Sequence, residues 1–256
     1  MGRCLKVIMI SSNKVSVSIV SHGQFTLLLP LIKSLRNCEE IETIIITINI
    51  PEKIKKIKWL DELPIIWIYN STQQGFGTNH NNAFKMCHSK YFFVINPDVR
   101  LSNKIIKDLI LLKEKEKINI LGTRIVDHKK NHIVNARKFP NFYFLLLKIL
   151  HVPQKEYSFK ENEQVLYTDW IGGMFLIFSN DDYKKLMGFD TKFFLYFEDV
   201  DLCRRARKIG LNVAQAKDIT VVHEAQRQSY SNLNHFKFHI KSYFLYLKKY
   251  FLNYNL

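Results

Sequence analysis

Residues 15–48 read VSVSIVSHGQFTLLLPLIKSLRNCEEIETIIITI, and this stretch decides the fold. Val15–Val20 is a short β-branched run that stops at Ser21-His22-Gly23. Gln24–Arg36 then places Leu28, Leu31, Ile32 and Leu35 at helical spacing. Thr43–Ile48 is a continuous apolar run, the pattern of a buried strand. Strand, helix and strand in that order predict a βαβ unit.

The rhythm continues downstream. Pro51 stands where the first turn of a second helix would fall. Ile65–Tyr69 is a third strand, Gly75-Phe76-Gly77 a turn into a helix over Asn79–Cys87, and Tyr91–Ile95 a fourth strand stopped by Asn96-Pro97-Asp98. Strand starts near 15, 43, 65 and 91 leave room for one helix between each pair. That predicts an α/β fold, Rossmann-like, with a mostly parallel central sheet flanked by helices. Farther on, Ser102–Lys117 predicts a Lys-rich helix, Ile118–Val126 a strand, Asp127–Asn131 a polar turn and Pro153–Gln164 a loop. Asp199–Ile209 predicts a helix closed by Gly210, and Ile219–Val222 a strand ending at His223. Without repeats or a low-complexity linker, the chain reads as one domain with a C-terminal helical appendage.

The totals narrow the chemistry. An apolar fraction of 47% supports a full core, and the net charge of +15 favours an anionic partner: nucleic acid, an anionic membrane or a phosphorylated substrate. Lys-rich composition alone is the plainer reading of that charge. Cysteines 4, 38, 87 and 203 show neither CxxC nor paired spacing, so a zinc site and a disulfide framework are not expected. A reducing, cytoplasmic setting follows. Met1–Ser12 does not read as a signal peptide, and no apolar run reaches the ~18 residues of a membrane span.

Ligands of such sheets bind at the carboxyl ends of the strands, here Ser21-His22, Asn49, Asn70 and Asn96–Asp98. GxGxxG and GxxxxGK[ST] are both missing, which weakens the dinucleotide and P-loop readings. Asp98 is either a turn residue or an oxygen ligand for Mg²⁺ or Mn²⁺ on a diphosphate. His223, at another strand end, is either a hydrogen-bonded core residue or an imidazole ligand that Mn²⁺ accepts. In Trp170–Arg205 the carboxylates Glu198, Asp199 and Asp201 follow the mostly aromatic Phe193–Phe197. Asp199 either caps the following helix or takes a proton from a substrate at the mouth of a pocket.

An ordered set of motifs goes further. VSIVSHGQ, TINIPE, QGFGTNHNNAF, VINPDVRL, RKFP, WIGGMFLIFSNDDYKKLMGFDTKFFLYFEDVDLCRRARKIG and VVHE occur in sequence over roughly residues 15–245. Together they resemble the family 2 glycosyltransferases of the GT-A fold, in particular the bacterial rhamnosyltransferase-like branch that builds O-antigens and other surface polysaccharides. The GFD–FF–YFEDVDLCRR block is the most specific part.

The resemblance implies a site. Asp98 takes the place of the last acid of the family's DxD metal motif, with Asn96 where many members have Asp. His223 matches a late His that completes the metal and diphosphate site, so Asp98 and His223 would hold a divalent cation, Mn²⁺ or Mg²⁺. Asp199 matches the catalytic base, with Glu198 beside it at the acceptor, while Asp201 fits as a carboxylate stabilising a helix N-terminus. Ser21, His22, Asn49, Glu52, Gly75, Gly77, Asn81, Asn96 and Asp98 lie where the family holds the nucleotide-sugar. Asn49 and Glu52 replace the usual acid after strand two. Gly172 and Gly173 match the small turn where donor and acceptor approach the backbone.

The implied reaction is inverting transfer of a sugar, L-rhamnose from dTDP-rhamnose or a UDP-hexose, to a hydroxyl of a lipid-linked oligosaccharide or polysaccharide acceptor. The implied domain spans 1–234, with a donor half at about 15–126 and an acceptor half at about 127–234, followed by a basic, aromatic helix at 235–256. That helix (HFKFHIKSYFLYLKKYFL at 235–252) either packs on the core or lies on an anionic membrane, joined there by Phe139–Leu150. The second option implies peripheral attachment to the inner face of the plasma membrane. Alternatives from other classes are a basic module for single-stranded nucleic acid and a catalytically inactive assembly partner.

Overall fold

The computed structural model describes residues 13–102, 104–140, 157, 159, 161–224 and 233–252. The expected loop over Pro153–Gln164 and the mixed stretch Phe139–Leu150 lie largely outside the described residues. The elements run β1 (Val15–Ser21), α1 (Phe25–Leu35), β2 (Ile41–Ile48), β3 (Ile65–Tyr69), α2 (Phe76–Phe84), β4 (Tyr91–Ile95), β5 (Val99–Arg100) and α3 (Ile105–Lys115). They continue with β6 (Ile120–Val126), β7 (His132–Ile133), β8 (Ala136–Arg137), β9 (Val165–Tyr167), β10 (Trp170–Ile171), β11 (Phe175–Ser179) and α4 (Asn180–Lys185). Last come α5 (Glu198–Lys208), β12 (Val213–His223), α6 (Leu233–Leu247) and a π-helical turn over Lys248–Leu252.

The main sheet has the order β3-β2-β1-β4-β11-β6-β12-β5. Strands β3, β2, β1 and β4 are parallel, as the spacing predicts. Strand β11 breaks the pattern, because it runs antiparallel to both β4 and β6. Its FLIF run is fully buried, as both faces of a central strand require. The parallel pairing of β6 with β12 then carries the sheet on to its far edge.

The helix expected from Pro51 is absent. Residues 51–57 are irregular and lead into a single 3₁₀ turn at Lys58–Leu60. Glu52 is pulled back toward α1, where its Oε2 accepts the Phe25 N–H at 2.7 Å. That bond closes a free donor at the start of α1 and ties down the segment that would have to coil. The helix expected at Asn79 begins earlier, at Phe76, and contains Gly77. The strand expected at Ile219–Val222 is the end of an eleven-residue β12.

The C-terminal helix is present, and it is built into the core. Tyr246 and Tyr250 are buried with Phe193 and Val200. The Ser242 hydroxyl donates to Leu195 O at 2.8 Å. Arg204 of α5 stands over the rings of Tyr250 (4.6 Å) and Phe251 (5.1 Å).

Candidate active site

The site forms where strands β1 to β4 end. Asn49, one residue past β2, is buried and fully engaged. Its Oδ1 accepts from Asn70 Nδ2 (2.9 Å) and Gln74 N (2.8 Å), and its Nδ2 donates to Gln74 O (2.9 Å). Asn49 therefore shapes the 70–74 loop. Ser21 is buried and accepts from the Gln24 N–H at 3.3 Å. His22 is exposed, with its Nδ1 3.3 Å from Asn49 Nδ2. Burial lowers the His22 pKa, Glu52 opposes this, and His235 of α6 adds to it. Glu52 keeps a buried Oε1 that has no partner, so this carboxylate has a free acceptor beside the strand ends.

Gly75, Gly77 and Asn81 stand apart from this group. A Cβ on Gly75 would lie 2.6 Å from Phe194 O, and one on Gly77 would lie 2.5 Å from Phe189 Cβ. Asn81 Nδ2 donates to Phe189 O at 2.8 Å, while its Oδ1 accepts from Phe189 N (2.9 Å) and the Tyr183 hydroxyl (2.8 Å). All three press α2 against the 183–194 segment, a packing role that the sequence does not reveal.

Asp98 and His223 meet. Strand β12 pairs His223 with Val99, which brings Asp98 Oδ1 within 3.1 Å of His223 Nε2. The approach does not have hydrogen-bond geometry: Asp98 Oδ1 and both ring nitrogens of His223 are buried without a hydrogen-bond partner. Orphaned buried atoms of this kind are costly unless a ligand completes them. A carboxylate oxygen and an imidazole nitrogen 3.1 Å apart fit a divalent cation whose remaining ligands are phosphate oxygens and water. Among the described residues, no cluster of three His, Cys, Asp or Glu exists to hold a metal by protein alone.

The second half of the site is the turn into α5. Tyr196 (φ 70°) and Phe197 (φ 67°) are consecutive left-handed residues, each a strain of ~1–3 kcal/mol. Phe197 is held by rings of the C-terminal helix: His239 at 5.4 Å, Tyr243 at 5.6 Å and Tyr246 at 5.4 Å. This turn presents Glu198 and Asp199. Asp199 Oδ2 accepts the Gly173 N–H at 2.9 Å and its Oδ1 the Val200 N–H at 2.8 Å. Burial raises the Asp199 pKa, and these N–H groups and Arg137 hold it back. Glu198 is 5% exposed, and its Oε2 has no partner. Burial and the neighbouring Asp199 charge raise its pKa well above the ordinary value. The two N–H donors on Asp199, against an orphaned oxygen on Glu198, favour ionisation of Asp199 over Glu198.

The two halves are linked through two adjacent residues. Gly173 N–H grips Asp199, and Met174 O accepts the Asn96 N–H at 2.9 Å. Asn96 is two residues from Asp98. Gly172 N–H is fixed on Asn135 O at 2.9 Å.

Residues 16–201 match the family described as glycosyl transferase family 2. The chain belongs to that family. It is a glycosyltransferase. The rhamnosyltransferase WbbL of Escherichia coli (strain K12) is 25% identical over 246 residues, covering 92% of this chain and 93% of the relative. The low-salt glycan biosynthesis hexosyltransferase Agl10 of Haloferax volcanii is 20% identical over 171 residues, which is 65% of this chain and 54% of Agl10. The crystal structure of GalNAc-T7 with UDP, GalNAc and Mn²⁺ superposes with a TM-score of 0.62 at 12% identity, over 83% of this chain and 43% of that one. The fold is GT-A. No helix among the described residues is long and apolar enough to cross a membrane.

One residue has a larger part than its sequence position implies. The sequence reading takes Asp201 as a helix-end carboxylate. The structure has it fully buried, accepting from Arg205 Nε (2.8 Å), Lys249 Nζ (2.5 Å) and the Tyr250 hydroxyl (2.6 Å). The Arg205 spacing of four residues is visible in the sequence, whereas the C-terminal partners carry no sequence signal.

Proposed function

We propose that this glycosyltransferase moves a sugar, with inversion, from a nucleoside diphosphate to a hydroxyl of a lipid-linked or polysaccharide acceptor. L-Rhamnose from dTDP-rhamnose is the first donor to test, supported by the rhamnosyltransferase named among its relatives; a UDP-hexose is the second. The observation that supports the reading is the Gly173–Met174 link, which ties the Asp199 carboxylate to the end of β4, near the Asp98–His223 pair.

Asp199 takes the proton of the acceptor hydroxyl as that oxygen attacks the anomeric carbon. Its two N–H donors fix the carboxylate and keep it ionised, and burial keeps it basic enough to accept the proton. Glu198, holding its own proton, adds no second charge beside the base and can donate a hydrogen bond to the acceptor. Asp98 and His223 would hold a divalent cation, Mn²⁺ or Mg²⁺, which supplies Lewis-acid neutralisation of the departing diphosphate. Ser21, His22, Glu52 and Asn96 stand at the strand ends where the nucleotide would lie. Attack from the side opposite the leaving group, with one base and no covalent intermediate, inverts the anomeric centre.

The test is a donor screen that measures release of nucleoside diphosphate, with product stereochemistry read by NMR. Release from dTDP-rhamnose that depends on acceptor, with inverted product, is expected. A retained anomeric configuration would remove Asp199 from the role of base.

A further inference from the structure

The outer face of α6 has no part in the site described above. Phe236 is 65% exposed, Ile240 40% and Phe244 64%. They stand four residues apart and so form one stripe along the helix. Lys237, Lys241 and Lys248 are exposed along the flank of that stripe. Those lysines form no ion pair among the described residues. No acidic residue follows Glu224 in the sequence. The opposite face of the same helix is fastened down, through Ser242 on Leu195 and through buried Tyr246.

We propose that this face docks the enzyme on an anionic lipid surface, with Phe236, Ile240 and Phe244 entering the headgroup boundary and Lys237, Lys241 and Lys248 pairing with lipid phosphates. The inference rests on the proposed function only for its purpose, which is access to a lipid-linked acceptor. Charge decides the occupant. A second copy on the same face would set one lysine row against another, whereas an anionic bilayer complements both the apolar stripe and the lysines. The docking also sets an orientation. The inner face of α6 touches Phe197, the residue before Glu198 and Asp199. Phe197 therefore lies about one helix diameter, ~10 Å, from the lipid boundary, with Glu198 and Asp199 directly after it in the chain.

The test is flotation of the full chain with vesicles of equal phosphatidylglycerol and phosphatidylcholine, against vesicles of phosphatidylcholine alone. Two triple variants are compared with wild type: Phe236→Ser/Ile240→Ser/Phe244→Ser and Lys237→Glu/Lys241→Glu/Lys248→Glu. Wild type is expected to float with the anionic vesicles, and each triple variant to bind at least ~tenfold more weakly. Circular dichroism and the thermal shift with UDP and Mn²⁺ should be the same in all three proteins. Failure of wild type to float, or flotation unchanged in both variants, overturns the proposal. So does a wild-type dimer in sedimentation that the apolar variant dissolves while no protein floats. Vesicle binding needs no sugar donor, so its loss and a failed donor screen are separate results.

Discussion

Lys249 Nζ lies 2.5 Å from Asp201 Oδ1, and this ion pair joins the final turn of the described chain to the first turn of the helix that carries Asp199. Lys249 also reaches Asp190 Oδ2 at 2.6 Å. Arg205, on the other Asp201 oxygen, extends to Leu186 O (2.5 Å) and Gly188 O (2.7 Å). One buried carboxylate thus gathers α5, the 186–190 loop and the Lys248–Leu252 turn beside the strained turn at Tyr196–Phe197.

Removing that charge takes one anionic partner from two part-buried cations, Arg205 and Lys249, at a fully buried position. Asp201→Asn is expected to cost about 3–5 kcal/mol in urea unfolding, and Lys249→Met less, because Arg205 and Tyr250 still serve Asp201. Unfolding of both variants at the wild-type urea concentration would contradict the arrangement.

Asp199→Asn is expected to fold normally, bind donor normally and lose about 10²–10⁴ in transfer rate. Burial raises the Asp199 pKa, and the base must be ionised. The rate should therefore fall as pH drops through a value above the ordinary carboxylate range. An acid limb at the ordinary value, or near-normal turnover by the variant, would rule this out.

Glu198 offers a stability test with a definite sign. Its folded-state pKa is raised by burial and by Asp199. Its stabilising contribution is complete below the unfolded carboxylate pKa and is lost as pH rises through the folded value. Glu198→Gln keeps the shape of the protonated acid and removes that loss. Its Tm at pH 8 should equal or exceed that of wild type, with the advantage gone near pH 4. A Tm well below wild type at pH 8 would mean that the ionised carboxylate is needed.

Asn81 and Gly77 separate packing from donor contact. Asn81→Ala loses three hydrogen bonds to Phe189 and Tyr183, and Gly77→Ala drives a Cβ into Phe189. Each is expected to destabilise by ~1–3 kcal/mol, measured by urea unfolding. The KM for donor should stay unchanged in whatever protein folds. A KM rise without loss of stability would return these residues to the nucleotide site.

Asp98→Ala and His223→Ala address the cation. In wild type, Mn²⁺ should enhance the thermal shift produced by the nucleoside diphosphate, and a chelator should reverse it. Either substitution should abolish the enhancement while leaving the metal-free Tm close to wild type. An undiminished Mn²⁺ effect in both variants would place the cation elsewhere.

The sequence by itself determined the parallel half of the sheet, because β-branched runs alternate with helical spacing from Val15 to Ile95. Local pattern also placed Asp98 and His223 at strand ends and Glu198–Asp199 at a helix start. Local pattern misread Pro51 because a distant contact, Glu52 to the start of α1, outweighs the helix signal. It carried no sign of the packing of Gly77 and Asn81 on Phe189, since a glycine in a turn looks the same whatever lies against it. Only the tertiary structure could turn β11 antiparallel, lay Gly173 on Asp199, and bring Lys249 and Tyr250 to Asp201. The contacts to Asp199 and Asp201 alone join residues that are 26 to 49 positions apart in the chain. No periodicity records them, because they arise from where the sheet and the final helix come to rest.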